Sequence, residues 1–204
     1  MEPDRRGLDG DLSTAFGSTL SVLRKVERGD LEKATPCASW NVRALNNHFV
    51  GTARWWAATV RREERPAVVD EPGVDSDSDA DEDYAAGDFV AAYEESARIA
   101  LGAFEAAAAS QRTVQLPWGG FPVAAVQAFA ATDQFVHGWD LARALGLDTD
   151  LAPDLARVLL DGSKLAIGEA MRGQDGVAPF GPARRAPEGS SAADRFAAFL
   201  GRAV

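Results

Sequence analysis

The 204-residue sequence has one cysteine and two histidines, and these small numbers exclude several kinds of site. The single thiol, Cys37, cannot form a disulfide within the chain. No run approaches the roughly 18 consecutive apolar residues of a membrane-spanning helix, and the first residues lack the apolar core of a signal peptide. We therefore expect a cytoplasmic protein without a membrane partner.

The chain also lacks a basic surface and the common catalytic motifs. Its formal net charge is −10, but nine of its acidic residues lie in residues 66–88, which contain no base. The remainder is nearly neutral, so nucleic acid is not an expected partner. Two histidines in no Ser-His-Asp order do not indicate a catalytic triad. The glycines of Gly-Gly-Phe-Pro at 119–122 are predicted to form a turn, and this segment lacks the lysine of a phosphate-binding loop.

Residues 66–88 are predicted to form a solvated acidic loop that crosses between two helices. Their alternation of Asp and Ser is reminiscent of a calcium-binding loop of the EF-hand type. Counted from Asp75, however, Ala80 stands where that loop needs glycine and Ala86 stands where it needs glutamate. The calcium interpretation is therefore rejected.

Apolar residues recur at helical spacing in four long stretches, which predict an all-α four-helix bundle with extra C-terminal helices. The six predicted helices cover residues 8–29, 39–64, 88–110, 122–146, 151–171 and 192–200. Ser39 is a predicted cap of the second helix, and Asp148 or Asp150 of the fifth. We assign residues 1–172 to the bundle. Residues 173–204 form a Pro/Gly-rich tail of the same domain, whose short helix docks on the bundle.

Both histidines fall on apolar faces of predicted helices. Asp133 and His137 are four residues apart and therefore lie one turn from each other on a face that points into the core. His48 lies on the corresponding face of the second helix. A buried carboxylate needs a partner, and a metal ion bound by these three side chains would supply one while leaving coordination positions open. The alternative, hydrogen-bonded core residues without a metal, also fits the spacing.

Two further residues are candidates for a role near these three. Asp140 follows His137 by three residues and could accept the second ring N–H of a ligand histidine. Cys37 precedes a predicted helix, a position that could lower the pKa of its thiol, although the simpler interpretation of a small buried residue is favoured. If Cys37 were a fourth ligand, it would close the coordination shell. Trp139 and Arg143 lie away from the metal-facing side of the helix.

Three segments resemble one known family. TPCASWNVRALNNHFVG (residues 35–51) and DQFVHGWDLARALG (residues 133–146) resemble two motifs of the DinB-like superfamily of mycothiol-dependent maleylpyruvate isomerase type. FGPARRAPEGSSAADRFAAFLGR (residues 180–202) resembles the C-terminal signature of an uncharacterised, metal-binding branch of it. The resemblance spans nearly the whole chain. It implies a DinB-like four-helix bundle whose metal ligands are His48, Asp133 and His137. Zinc is the expected ion, with nickel and iron as alternatives, because nitrogen and carboxylate ligands suit all three.

What the resemblance implies about activity is limited by two departures from the family pattern. The characterised isomerase has glutamate where this chain has Asp133, and it carries a second domain for which too few residues follow position 172. Two classes of function stay open. One is a transferase or isomerase that uses a divalent metal and a low-molecular-weight thiol such as mycothiol on an electrophilic substrate. The other is a non-catalytic metal- or ligand-binding bundle. Either would be a monomer or a homodimer.

Overall fold

The protein is described here from a computed structural model that covers residues 5–37, 40–61, 83–110, 112–117, 119–174 and 177–204, with side chains from Gly10 onward. The helices are α1 (Arg5–Leu23), α2 (Val42–Arg61), α3 (Phe89–Ala107), α4 (Val123–Ala144), α5 (Pro153–Ala166) and α6 (Ala192–Phe199). The strands β1 (Thr113–Leu116) and β2 (Gly119–Pro122) form an antiparallel hairpin. The predicted all-α class is confirmed. None of the described helices is long and apolar enough to cross a membrane.

The first four helices form the predicted bundle. Helix α1 packs most extensively against α4, and α2 packs against α3. Contacts of α2 with α4 and of α1 with α3 join the two pairs. The apolar stripes of these helices meet in a common core whose largest fully buried side chains include Phe49, Tyr93, Phe104 and Phe135. Because α2 and α4 are neighbours, side chains on their inward faces can reach each other.

Helices α5 and α6 pack on each other, and α6 also packs on α4. Ser191 caps α6 by accepting a hydrogen bond from the Asp194 amide. The Asp194 carboxylate then accepts hydrogen bonds from the indole N–H of Trp139 at 2.9 Å and from the hydroxyl of Thr149 at 2.8 Å. These bonds fasten α6 to α4 on the side away from the bundle core.

The ends of two helices differ from the predicted ones. Helix α1 ends at Leu23 rather than at residue 29, and residues 28–30 form a separate 3-10 turn. The backbone of Val26 is not helical, but its side chain is buried. The apolar pattern therefore continues past the end of the helix. Predicted cap Ser39 lies outside the described residues, and the side chain of Asn41 accepts the Ala44 N–H in the first turn of α2.

The fifth helix and the hairpin also require corrections. Helix α5 ends at Ala166 rather than at residue 171, and neither predicted cap is used, because Ala152 occupies the N-cap position. Gly119 and Gly120 lie in β2 rather than in a turn. A Cβ at Gly120 would stand 2.7 Å from the Thr113 methyl carbon and 2.9 Å from the Gln115 side-chain nitrogen, so these two side chains pack over the glycine.

The predicted acidic loop of residues 66–88 lies mostly outside the described residues. Its described end contains a 3-10 turn over Tyr84–Ala86, and Asp88 caps α3 by accepting the Ala91 N–H. Asp83 also pairs with Arg43 of α2 at 2.7 Å. At this end the loop is therefore anchored to the bundle by side-chain contacts.

A buried amide on α2 gives a test of the core. Asn46 is 1% exposed, and none of the described residues offers its side-chain nitrogen or oxygen a hydrogen bond. We expect Asn46→Leu to raise the free energy of unfolding by about 1–2 kcal/mol, because it removes a buried, unpaired polar group at similar size. Urea denaturation of the purified variant measures this change.

The neighbouring Asn47 is the control, since its side-chain amide donates a hydrogen bond to Asp83 and accepts one from the Ala85 N–H. Asn47→Leu should not stabilise the protein, and equal gains in both variants would contradict the argument.

Candidate metal centre

Helices α2 and α4 bring together the three side chains that the sequence singles out. His48 Nε2 lies 3.2 Å from Asp133 Oδ1, and His137 Nε2 lies 3.7 Å from the same oxygen. The three ligand atoms lie within 4.8 Å of one another. All three side chains are largely shielded, with exposed fractions of 13% for His48, 21% for Asp133 and 12% for His137. The helical spacing thus places one carboxylate oxygen between two imidazole nitrogens.

These separations fit a metal ion. In a tetrahedral zinc site with bonds of about 2.0–2.1 Å, neighbouring ligand atoms are about 3.3 Å apart. The two observed nitrogen–oxygen distances lie on either side of that value. Two nitrogens and one oxygen suit zinc, nickel or iron. Among the described residues, no other cysteine, histidine or carboxylate joins this set, so an ion held by these three side chains would keep at least one position open.

The second oxygen of Asp133 is held by a buried polar network. The Gln134 side chain donates to Asp133 Oδ2 at 3.2 Å and to the Thr52 hydroxyl at 2.9 Å, and its amide oxygen accepts from the Tyr93 hydroxyl at 2.9 Å. The carboxylate is thereby oriented with Oδ1 toward the imidazoles. Burial alone would raise the pKa of Asp133, but the charge and hydrogen bond of His48, with a contribution from His137, lower it to about 2.

The other edge of the His137 ring faces a second carboxylate. His137 Nδ1 lies 3.0 Å from Oδ2 of Asp140, which is fully buried. Burial would raise the pKa of Asp140, but the charge of Arg202 and the hydrogen bond of His137 hold it well below its usual value. An ionised carboxylate only accepts hydrogen bonds, so His137 donates from Nδ1. In the neutral ring, Nε2 then carries a lone pair that points toward Asp133.

Cys37 and Arg202 also lie at the Nδ1 edge of the His137 ring, beside Asp140. Cys37 is buried, and its thiol lies 3.2 Å from Asp140 Oδ2 and 3.7 Å from His137 Nδ1. Arg202 donates from Nε and Nη2 to the two Asp140 oxygens at 3.2 and 2.9 Å, and from Nη2 to Cys37 Sγ at 3.3 Å. Cys37 therefore faces the opposite edge of the imidazole from the three-ligand set and does not close its shell.

One aromatic side chain covers one side of the centre. The Trp40 ring lies 4.2 Å from the His48 ring and 5.2 Å from the His137 ring, centroid to centroid. This indole shields both imidazoles and limits their rotation. Trp139 points away from the centre toward α6, as its position on the helix predicts, and Arg143 is exposed.

Sequence reasoning missed three residues of the centre: Gln134, Trp40 and Arg202. Gln134 and Trp40 lie within the motifs quoted above, so their position beside Asp133 and before His48 was the available signal. Arg202 ends the third motif, and nothing in its local pattern connects it with the distant Asp140. Only the fold brings these two together.

Comparisons with known proteins identify the family of the chain. Residues 12–142 match the family described as "Mycothiol maleylpyruvate isomerase N-terminal domain". Two uncharacterised proteins, from two strains of Mycobacterium tuberculosis, are each 31% identical to the chain over 188 residues. Each alignment covers 90% of this chain and 91% of the relative. No solved structure gives a significant match.

Proposed function

The chain belongs to the mycothiol maleylpyruvate isomerase N-terminal domain family, and from this premise we propose that it is a metal-dependent thiol transferase or isomerase. In this proposal His48, Asp133 and His137 hold one divalent ion, zinc in the first instance and nickel or iron as alternatives. A low-molecular-weight thiol of the mycothiol type and an electrophilic small molecule are its substrates.

One observation carries the metal assignment. His137 donates from Nδ1 to Asp140, so the lone pair on its Nε2 faces Asp133 Oδ1 at 3.7 Å. Two electron-rich atoms that face each other in a shielded site need a positive charge between them, which either a proton on Nε2 or a metal ion supplies. A metal ion satisfies both of these atoms and His48 Nε2 at once, and the spacing of the three atoms suits its bond lengths.

The residues of the chain would have distinct tasks in this site. When bound there, a divalent ion supplies the charge that deprotonates a thiol at neutral pH. Asp133 adds a single negative charge, so the site stays attractive to a thiolate, and Gln134 fixes the carboxylate orientation. Asp140 holds His137 with Nε2 inward. Trp40 covers both imidazoles and restricts the access of water to them.

Metal content tests the first half of the proposal. We expect elemental analysis of protein purified without chelator to find one divalent ion per chain. His48→Ala and His137→Ala should each lose most of it, because zinc sites with fewer than three protein ligands are weak. Asp150→Asn is the matched control, since this exposed carboxylate is not among the described residues that could hold a metal ion. If the histidine variants stay folded by circular dichroism and retain as much metal as Asp150→Asn, the assignment is wrong.

Thiol binding tests the second half. Metal-loaded protein should show a rise in melting temperature with at least one of mycothiol, bacillithiol, glutathione and cysteine, since a ligand that binds only the folded state stabilises it. The same thiol should have no effect on His137→Ala. A protein that binds metal but responds to none of these thiols, and that consumes no model electrophile faster than free metal and thiol, would instead be a non-catalytic metal-binding bundle.

A further inference from the structure

The molecule contains a second donor set that resembles a metal site. Cys37 Sγ, His137 Nδ1 and an Asp140 oxygen lie within 4.8 Å of one another, like the three ligand atoms of the first set. Thiolate, imidazole and carboxylate are all common zinc ligands. The two sets share His137 and use opposite nitrogens of its ring. By composition alone, the second set should compete with the first for an ion.

The second set already holds a cation. The guanidinium of Arg202 donates to both oxygens of Asp140 and, through Nη2, to Cys37 Sγ at 3.3 Å. Its side chain is 13% exposed, so this positive charge is largely removed from water. Arginine stays charged in proteins and matches a carboxylate with two parallel bonds. The charge that a metal ion would bring to Cys37 and Asp140 is therefore present without one.

The backbone after α6 directs the Arg202 side chain toward Asp140. Gly201 has a φ of +102° and packs so closely on Gly181 that a Cβ would stand 2.6 Å from the Gly181 Cα. The Arg202 amide donates to the Ala197 carbonyl at 3.0 Å, and its Nη1 donates to the Leu200 carbonyl at 3.3 Å. The two glycines and these bonds fix the direction in which Arg202 enters the site.

We propose that Arg202 is a positioning residue whose guanidinium takes the place of a metal ion in the Cys37–His137–Asp140 set. It thereby confines the metal to the Nε2 edge of the His137 ring. It acts through Asp140, which it keeps aligned with His137 Nδ1, and it prevents Cys37 from becoming a ligand. This inference rests on the proposed function for the identity of the first site. It concerns which ligands the metal uses rather than which reaction follows.

Cobalt(II) binding to the purified full chain tests the inference, because a cobalt–thiolate bond gives an intense near-ultraviolet absorption that nitrogen and oxygen ligands do not. Arg202→Met removes the charge at similar length and leaves Asp140 without its cation. We expect this variant to gain the thiolate absorption as Cys37 binds cobalt and releases its proton to the buffer. Wild type and Arg202→Lys should lack it. The double variant Arg202→Met/Cys37→Ser is the matched control and should lose the absorption again.

Each result supports or contradicts the inference. If Arg202→Met binds cobalt with the wild-type spectrum, the inference is wrong and the proposed function is unaffected. If wild type itself shows the thiolate absorption, the inference is wrong and the proposed three-ligand site is contradicted as well. If wild type binds no cobalt but Arg202→Met acquires a Cys37-dependent site, the exclusion of metal from Cys37 by Arg202 is supported and the proposed function fails. If neither binds cobalt, both fail. Arg202→Gln, which keeps a hydrogen-bond donor to Asp140 without the charge, replaces Arg202→Met if the latter does not fold, and the same criteria apply.

Discussion

Asp140→Asn is expected to destabilise the fold by about 3 kcal/mol and to weaken metal binding roughly 10- to 100-fold. The stability loss follows because Arg202 would keep its charge in a largely buried position after losing the carboxylate that accepts two of its hydrogen bonds. The loss of affinity follows because an amide can present a hydrogen atom to His137 Nδ1 and no longer selects the ring orientation with Nε2 inward. Urea denaturation and competition with a metal chelator measure the two effects.

The stability effect of Asp140→Asn should depend on pH in a definite direction. The pKa of Asp140 is held well below its usual value in the folded protein, so its ionised form stabilises the fold. That contribution is fully present above the unfolded-state pKa of about 4 and is lost as the pH falls through the lower folded-state value. The difference between wild type and variant should therefore be constant near neutral pH and shrink below about pH 4.

An exposed aspartate provides the control for this prediction. Asp161 pairs with Lys164 on the surface of α5, where its side chain is 77% exposed. Asp161→Asn should change stability by less than about 1 kcal/mol, as is usual for surface ion pairs. An Asp140→Asn protein that is as stable as Asp161→Asn at neutral pH would show that the pairing of Asp140 with Arg202 contributes little.

Helical periodicity predicts the bundle and the first donor set for one physical reason. A face that points into the core is apolar, so a histidine or aspartate on that face is conspicuous and its direction is known. Periodicity alone therefore places His48, Asp133 and His137 on inward faces of the bundle, and the folded chain brings their ligand atoms within 4.8 Å of one another. Whether they bind metal is a separate question, which the elemental analysis of the histidine variants addresses.

The same reasoning could not locate helix ends or distant partners. Val26 is buried although it lies beyond the end of α1, so the apolar pattern extends past the helix and does not mark where it ends. Gly119 and Gly120 suggested a turn, although both lie in β2, where the Thr113 and Gln115 side chains pack over Gly120. Arg202 meets Asp140 only because Gly201 and Gly181 let two backbone segments touch. Such contacts depend on tertiary packing, about which local periodicity carries no information.

Gly138→Ala is expected to destabilise the protein by about 1–3 kcal/mol, although alanine favours helices over glycine by about 1 kcal/mol. A Cβ at this position on α4 would stand 2.3 Å from the Thr19 hydroxyl oxygen and 3.2 Å from the Thr19 Cα. The hydroxyl cannot simply rotate away, because it is buried and donates to the Gln134 backbone carbonyl at 2.8 Å. Helices α1 and α4 must therefore separate, and this movement also displaces the turn of α4 that carries Asp133 and His137.

Thermal denaturation with two further variants isolates this steric cause. Gly162→Ala on the exposed face of α5, where a Cβ meets nothing within 4 Å, should raise the melting temperature by about 2–4 °C, which corresponds to the roughly 1 kcal/mol helical preference of alanine. Gly138→Ala should lower it. Adding Thr19→Gly to Gly138→Ala removes the overlapping side chain, so the double variant should lose less stability than the sum of the two single changes. Strict additivity, or a Gly138→Ala protein as stable as Gly162→Ala, would mean that α1 and α4 do not approach each other this closely at Gly138.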